Sequence, residues 1–189
     1  MEVRTIAVIG AGAMGRGIAY ATSVGGYKTV LEDISPHVLE EAMAWIRRSF
    51  AEGVARGTFD AGVSGSALSR LSTAADVKDA IRDAELIIET VPEELEMKLE
   101  LFIIFDRFAK AGAIFASTAC SLSITDLTDV VVSRERCIGM HFSHAVSKSN
   151  LLRLLRTPYT SEDTVATCRE VACRMGKEVA VVNEAPQNV

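Results

Sequence analysis

Three glycines that follow an apolar segment constrain the fold of this chain more than any other feature. The segment Thr5–Ile9 leads directly into the pattern Gly-x-Gly-x-x-Gly. In this pattern the first glycine permits a tight turn out of a strand, the second lets a pyrophosphate approach the backbone, and the third lets the next helix pack closely against the sheet. Unpaired N–H groups at the start of that helix attract phosphate. The pattern therefore predicts a dinucleotide site; the alternative is a glycine-rich turn without a ligand. The predicted loop contacts are Gly10, Ala11, Gly12, Ala13, Met14 and Gly15.

An acidic residue follows at the position where such sites bind ribose. Asp33 comes 18 residues after Gly15, at the end of the next apolar run. Its carboxylate can accept hydrogen bonds from a ribose diol and repels a 2′-phosphate, and Glu32 adds negative charge beside it. No Arg or Lys follows closely to receive a 2′-phosphate. The sequence therefore predicts NAD, rather than NADP, as the cofactor.

Charge and hydropathy narrow the classes of partner. The 189 residues carry a formal net charge of −5, which disfavours nucleic acid and anionic membranes as partners. No apolar run reaches the roughly 18 residues that a membrane-spanning helix needs. We expect no signal peptide, because the N-terminus leads directly into a strand, and we expect reduced thiols in a cytoplasmic protein. The four cysteines, none in a C-x-x-C pair, are Cys120, Cys137, Cys168 and Cys173.

Apolar strands alternate with helices along the whole chain, which predicts an α/β fold with a doubly wound, mostly parallel sheet of the Rossmann type. After the second strand, Ser35 and Pro36 open a helix that continues to about Ala55, a long helical excursion for a simple crossover. Residues 57–66 are rich in Gly and Ser and are interpreted as a mobile connection. Ser123 and Ser161 are predicted to cap later helices.

Four segments together are similar to a known family, the 3-hydroxyacyl-CoA dehydrogenases. They are Ile9–Ala19, Ile88–Glu93, Ser121–Thr125 and Gly139–Phe142. The resemblance covers the chain and implies that residues 1–189 are the family's N-terminal, NAD-binding domain. That family continues into an all-helical domain used for dimerisation, which would start about where this chain stops. The resemblance thus implies a homodimer when that domain is present.

The family oxidises 3-hydroxyacyl-CoA to 3-ketoacyl-CoA, with a histidine that takes the hydroxyl proton. His141 matches that histidine and follows a predicted strand, at the edge of the sheet where ligands bind in doubly wound folds. A histidine with a pKa near neutrality suits this role. Position alone leaves open a histidine that is merely packed at a strand end.

Other family positions match less uniformly. Glu93 and Lys98 match residues that contact the dinucleotide, and Ser49 and Arg56 match positions that contact CoA. Arg56 replaces a lysine, which keeps the charge but not the geometry. For Ser49, Arg56 and Lys98, the alternative is an ordinary solvated helix face.

Three residues depart from the family pattern near the reacting centre. Cys120 stands where a serine hydrogen-bonds substrate and cofactor, and a thiol is a weaker donor and acceptor. His144 replaces an asparagine near the nicotinamide. Arg153 stands 12 residues after His141, where the family has the glutamate that orients the histidine.

A guanidinium beside His141 would lower the histidine pKa, whereas the family's glutamate stabilises imidazolium. If Arg153 faces His141, we expect weak turnover of ordinary 3-hydroxyacyl-CoA substrates. Alternatively, Arg153 recognises a carboxylate on an unusual substrate.

Further alternatives concern the class of protein. His141 and His144 alone leave a divalent ion short of ligands, so no metal site is predicted, and Cys120 is not expected to be a covalent nucleophile. The chain could instead be an NAD-binding subunit with lost or altered catalysis. It could also be a dehydrogenase for a 3-hydroxy acid without CoA.

Overall fold

A single mixed sheet with helices on both faces organises the molecule. The computed structural model describes residues 1–142, 146 and 150–184. Its strands lie in the order β3-β2-β1-β4-β5-β6-β7-β8. They are β1 Thr5–Ile9, β2 Lys28–Glu32, β3 Leu71–Ala74, β4 Leu86–Glu89, β5 Ile114–Ser117, β6 Cys137–Phe142, β7 Leu151–Arg156 and β8 Glu178–Asn183. The helices are α1 Ala13–Val24, α2 Pro36–Ala55, α3 Ala61–Ser69, α4 Val77–Ile81, α5 Leu95–Phe108, α6 Ile124–Thr128 and α7 Glu162–Arg174, with a 3₁₀ turn at Arg134–Arg136.

The sheet has the doubly wound topology that the sequence predicts. All neighbouring strands pair in parallel except β6 and β7, which are antiparallel. The chain builds outward from β1 through β2 to β3 and then returns to the other side of β1 as β4. Ligands bind at such a reversal point, outside the carboxyl ends of the strands. The crevice between β1 and β4 is therefore the expected binding edge.

Alternation along the strands creates two cores. In β1, Ile6 and Val8 face the core beneath α1, α2, α3 and α7, whereas Ala7 and Ile9 face the core beneath α4, α5 and α6. All four side chains are at most 1% exposed. Burial on both faces explains why this strand is an almost unbroken apolar run.

The predicted serine caps are confirmed. The side chain of Ser35 accepts a hydrogen bond from the N–H of Val38, and Pro36 is the first residue of α2. Ser123 and Ser161 cap α6 and α7 in the same way.

The interpretation of residues 57–66 as a mobile connection is wrong. Its second half belongs to α3, which the carboxylate of Asp60 caps by accepting a hydrogen bond from Val63 N at 2.8 Å. Ala67 of α3 is fully buried in the core beneath α1 and α2. Capping and tertiary burial therefore outweigh the low helix propensity of Gly62 and Gly65.

Candidate functional site

The glycine loop turns tightly at the carboxyl end of β1, as the sequence predicts. Gly10 has φ of +99°, in the left-handed region that favours glycine. A Cβ on Gly15 would stand 1.8 Å from the carbonyl oxygen of Gly10, so only glycine permits α1 to lie this close to the loop. Thr90, just after β4, donates from its Oγ1 to the carbonyls of Ile9 and Gly10 at 2.9 Å. The hydroxyl thus fastens the loop to the neighbouring strand.

The second glycine of the motif faces open space. A Cβ added to Gly12 would meet no atom within 4 Å. Gly12 is also the N-cap of α1, and it provides no side-chain hydrogen bond to the first N–H groups of the helix. Those N–H groups and the absent Cβ form a cradle that suits a pyrophosphate.

Asp33 is held in position by two backbone amides. Its Oδ2 accepts from Ala11 N and its Oδ1 accepts from Ser35 N, each at 2.9 Å. The carboxylate therefore bridges the glycine loop and the start of α2. Each carboxylate oxygen has a further lone pair that can receive a hydroxyl donor.

Two adjoining cavities follow the carboxyl edge of the sheet. The loop cavity, of about 590 Å³, is lined by Gly10, Gly12, Met14, Asp33, Val38, Thr90, Val91, Pro92, Glu93, Lys98, Thr118 and Cys120. The Ile34 cavity, of about 410 Å³, is lined by Ile9, Gly10, Glu32, Asp33, Ile34, Val77, Val91, Pro92, Met97, Glu100, Leu101 and Ile104. The two cavities share Gly10, Asp33, Val91 and Pro92. Two adjoining spaces that share Asp33 suit an extended dinucleotide.

His141 lies near the end of β6, beside the β5–α6 loop. Its Nε2 is buried and has no hydrogen-bond partner within the part of the chain that the structure describes. Burial lowers the pKa of the imidazole, a hydrogen bond with the backbone of Ala119 opposes that shift, and the charge of Arg153 lowers the pKa further. Glu93 and Glu184 act in the raising direction. The net pKa lies below its usual value, so His141 is neutral at pH 7 and able to accept a proton.

Arg153 stands directly opposite His141. The antiparallel register of β6 and β7 pairs their Cα atoms, which places both side chains on the same face of the sheet. Arg153 is exposed, and no described residue forms an ion pair with it. The positive charge that the sequence places where the family has a glutamate does therefore face the histidine.

Glu93 and Cys120 connect two loops of the site. The carboxylate of Glu93 accepts a hydrogen bond from Cys120 N at 2.5 Å. The thiol of Cys120 donates to the carbonyl of Thr118 at 3.4 Å, and burial together with the charge of Glu93 raises its pKa. A protonated thiol does not suit a covalent nucleophile.

A buried polar network, which was not predicted from the sequence, supports these loops. Lys98 is 1% exposed, and its Nζ donates to Glu89 Oε1 at 2.6 Å and to the carbonyl of Val91 at 3.0 Å. Ser117 Oγ donates to the other oxygen of Glu89 at 2.6 Å. Burial raises the pKa of Glu89, and these donors oppose the shift. The alternative that Lys98 lies on a solvated helix face is thus wrong. A charged residue within the apolar strand β4 was the available signal that a buried partner exists.

The remaining predicted positions lie elsewhere. Ser49 is half-buried on α2 and Arg56 is exposed just after it, paired with Glu52 at 3.4 Å. Neither lines the two cavities. His144 lies outside the described residues.

A comparison with protein families decides the classification. Residues 5–185 match the model of the family described as "3-hydroxyacyl-CoA dehydrogenase, NAD binding domain". The chain belongs to this family. The resemblance and the predicted cofactor, NAD, are thereby confirmed.

Individual relatives agree with the family. A 3-hydroxybutyryl-CoA dehydrogenase of Bradyrhizobium diazoefficiens is 36% identical over 97% of this chain and 62% of its own length. The solved 3-hydroxybutyryl-CoA dehydrogenase of Escherichia coli K12 superposes with a TM-score of 0.94 at 30% identity, over 98% of this chain and 39% of that one. A solved 5-formyl-3-hydroxy-2-methylpyridine 4-carboxylic acid 5-dehydrogenase has a TM-score of 0.85 and 28% identity, over 98% and 59%. The chain thus spans less than two thirds of its curated relative.

The described residues lack two kinds of feature. No group of three or more His, Cys, Asp or Glu side chains converges there to hold a metal ion. None of the described helices combines the length and the hydropathy that crossing a membrane requires. The four cysteines are free thiols.

Proposed function

We propose that this chain is the cofactor-binding part of a dehydrogenase that oxidises a 3-hydroxyacyl-CoA, such as 3-hydroxybutyryl-CoA, to the 3-ketoacyl-CoA. The observation that carries this proposal is His141. Its buried Nε2 has no partner among the described residues, and its lowered pKa keeps it neutral at pH 7. A general base must be unprotonated and within reach of the proton that it accepts.

The chemistry then divides between His141 and the cofactor. His141 Nε2 receives the proton of the 3-hydroxyl group as the C3–H bond breaks and the C3–O bond becomes a carbonyl. NAD supplies the acceptor for the hydride that leaves C3. In the reverse direction, the imidazolium returns the proton to the oxygen. The resulting imidazolium is disfavoured by Arg153, which supports a weak rate on ordinary substrates.

The residues of the two cavities fit the cofactor. In this proposal the glycine loop holds the pyrophosphate, Asp33 binds the adenosine ribose, and Cys120 lies beside the nicotinamide. Lys98 contributes at the cavity wall, although Glu89 and Val91 hold its ammonium group. The full set is Gly10, Ala11, Gly12, Ala13, Met14, Gly15, Asp33, Glu93, Lys98, Cys120 and His144.

NADH formation, followed by near-ultraviolet absorbance with a panel of 3-hydroxyacyl-CoAs and full-length protein, tests the activity. We expect His141→Ala to lower kcat at least about 100-fold, the usual contribution of a general base. His37→Ala, on the exposed face of α2, is the matched control and should leave the rate unchanged. An undiminished rate in the His141 variant would contradict the proposal.

A second candidate is a substrate with an additional carboxylate, and the position of Arg153 favours it. Its exposed guanidinium faces His141 and has no ion-pair partner among the described residues. Guanidinium binds carboxylate in a bidentate geometry that few other side chains match. The related pyridine dehydrogenase also acts on a compound that its name describes as a carboxylic acid.

Comparing a 3-hydroxydicarboxylyl-CoA with 3-hydroxybutyryl-CoA tests this candidate. We expect the dicarboxylyl thioester to have the higher kcat/KM, and Arg153→Gln to reduce that preference at least about tenfold. Equal kcat/KM values for the two thioesters would count against a carboxylate-binding role.

CoA recognition, assembly and location belong to the same proposal. Ser49 and Arg56 are proposed CoA contacts, so changing both should raise KM for CoA esters but not for free 3-hydroxy acids.

We also propose a homodimer formed through a helical domain, in the cytoplasm, where the free thiols stay reduced. If NAD binds but no 3-hydroxy substrate is oxidised, the alternative of a non-catalytic NAD-binding subunit is correct.

A further inference from the structure

An ionisable side chain lies in an apolar part of the cofactor site. Glu32, the last residue of β2, is only 4% exposed. It lines the Ile34 cavity, where most other side chains are apolar, among them Val77, Met97 and Leu101. Neither the glycine motif nor the proposed chemistry at His141 uses this carboxyl group.

Among the described residues, the charged groups that act on Glu32 or line its cavity are negative. Asp33 follows it in the chain, Asp76 approaches from the turn before α4, and Glu100 of α5 lines the same cavity. No Lys, Arg or His among the described residues lines that cavity. Burial, Asp33 and Asp76 raise the pKa of Glu32 to about 7, against the opposing effect of the Gly10 N–H. Near neutral pH the carboxyl group is therefore partly protonated.

The Ile34 cavity would hold the base of a dinucleotide bound along this edge. Asp33 lies between the two cavities, and the glycine loop with its helix N-terminus lies on the other side, in the loop cavity. With the ribose at Asp33 and the pyrophosphate at the loop, the adenine would extend into the Ile34 cavity. An apolar space suits its ring faces, and the ring nitrogens N1, N3 and N7 are acceptors that need a donor.

We propose that Glu32 recognises the adenine of NAD by donating a hydrogen bond from its protonated carboxyl group to a ring nitrogen. This inference rests on NAD occupying the two cavities. The bound base removes water from Glu32, and the ring nitrogen accepts only from the protonated form. Binding thus takes up a proton, and affinity weakens as the pH rises and Glu32 loses it.

Calorimetric titration with ADP-ribose tests the proposal. This probe contains the adenine, ribose and pyrophosphate but no nicotinamide, so His141 does not contribute to the result. Measurement at pH 7.5 in two buffers of different ionisation enthalpy gives the number of protons taken up. We expect uptake of a substantial fraction of one proton, and a Kd that rises about tenfold from pH 6 to pH 8.5.

Two variants assign the effect to its residue. Glu32→Gln keeps the size and a hydrogen-bond donor but cannot ionise, so it should bind without proton uptake and with a Kd that does not depend on pH. Asp33→Asn should weaken binding at every pH. It should shift the pH dependence to lower pH without abolishing it, because the Asp33 charge helps to raise the pKa of Glu32. Binding by the unsubstituted protein without proton uptake would overturn the role of Glu32 and leave the dinucleotide site intact. Absence of ADP-ribose binding at every pH would overturn both.

Discussion

At the residue scale, the proposed chemistry depends on two side chains that face each other across β6 and β7. The register that pairs His141 with Arg153 puts a permanent positive charge beside the base. That charge and burial both act against imidazolium, whereas the Ala119 backbone and two carboxylates act for it. The protonation of His141 therefore depends in part on which residue occupies position 153.

Arg153→Glu should raise the pKa of His141, because an attractive charge then replaces a repulsive one. In the unsubstituted protein the lowered pKa keeps the imidazole of His141 neutral down to a lower pH than usual. In the variant the imidazole should become protonated at a higher pH. NMR titration of the histidine ring protons, assigned with His141→Ala, measures this. Arg169→Glu, an equal charge change on the exposed side of α7, should leave the titration in place. A His141 pKa that does not respond to Arg153→Glu would contradict the facing geometry.

Substitutions at two glycines of the loop should have different effects, one on the stability of the fold and the other on NAD binding. A Cβ at Gly15 would collide with the Gly10 carbonyl, so Gly15→Ala should destabilise the fold by about 3 kcal/mol. A Cβ at Gly12 meets nothing, and alanine is only a poorer N-cap than glycine, so Gly12→Ala should lower Tm far less than Gly15→Ala but weaken NAD binding about tenfold or more. Thermal unfolding measures the stability of both variants, and NAD titration measures their affinity for the cofactor. A Gly12→Ala protein that binds NAD normally would show that the pyrophosphate does not approach this residue.

At the element scale, the Glu89–Lys98 pair joins β4 to α5, and Ser117 extends the network to β5. Because both charges are at most 1% exposed, removing one leaves the other uncompensated. Lys98→Met should therefore lower the free energy of unfolding by roughly 3–5 kcal/mol. The double variant Glu89→Gln with Lys98→Met should recover a large part of that loss. Urea denaturation tests this, and similar losses in both proteins would mean that packing, not charge, explains the effect.

The same scale shows what sequence patterns could predict. The caps at Ser35, Ser123 and Ser161 were predictable because a cap depends on residues three positions apart. The helix α3 was not, because Gly62 and Gly65 disfavour it and its burial depends on distant residues of α1 and α2. The contact between His141 and Ala119 could not be predicted either. It involves a backbone group of Ala119, which every residue type would offer.

At the scale of the whole molecule, the fold gathers distant residues along one edge of the sheet. Gly10, Thr90 and Cys120 follow three different strands and His141 lies near the end of a fourth, and parallel pairing brings these four strand ends together. This edge could be predicted because each strand is an apolar run in the sequence, and parallel sheets bind ligands at the carboxyl ends of their strands. It did not reveal the division into two cavities around Asp33, which depends on how α4 and α5 pack.

The most direct test of the proposed function is transfer of deuterium from carbon 3 of 3-deuterated 3-hydroxybutyryl-CoA, with full-length protein and NAD. Mass spectrometry of the nicotinamide product reports whether hydride has moved, even when turnover is slow. We predict NADH that carries one deuterium, and its loss in the His141→Ala variant while NAD affinity is retained. Unlabelled nicotinamide alone, from a protein that binds NAD, would contradict oxidation of this substrate and indicate a protein that binds the dinucleotide without using it here.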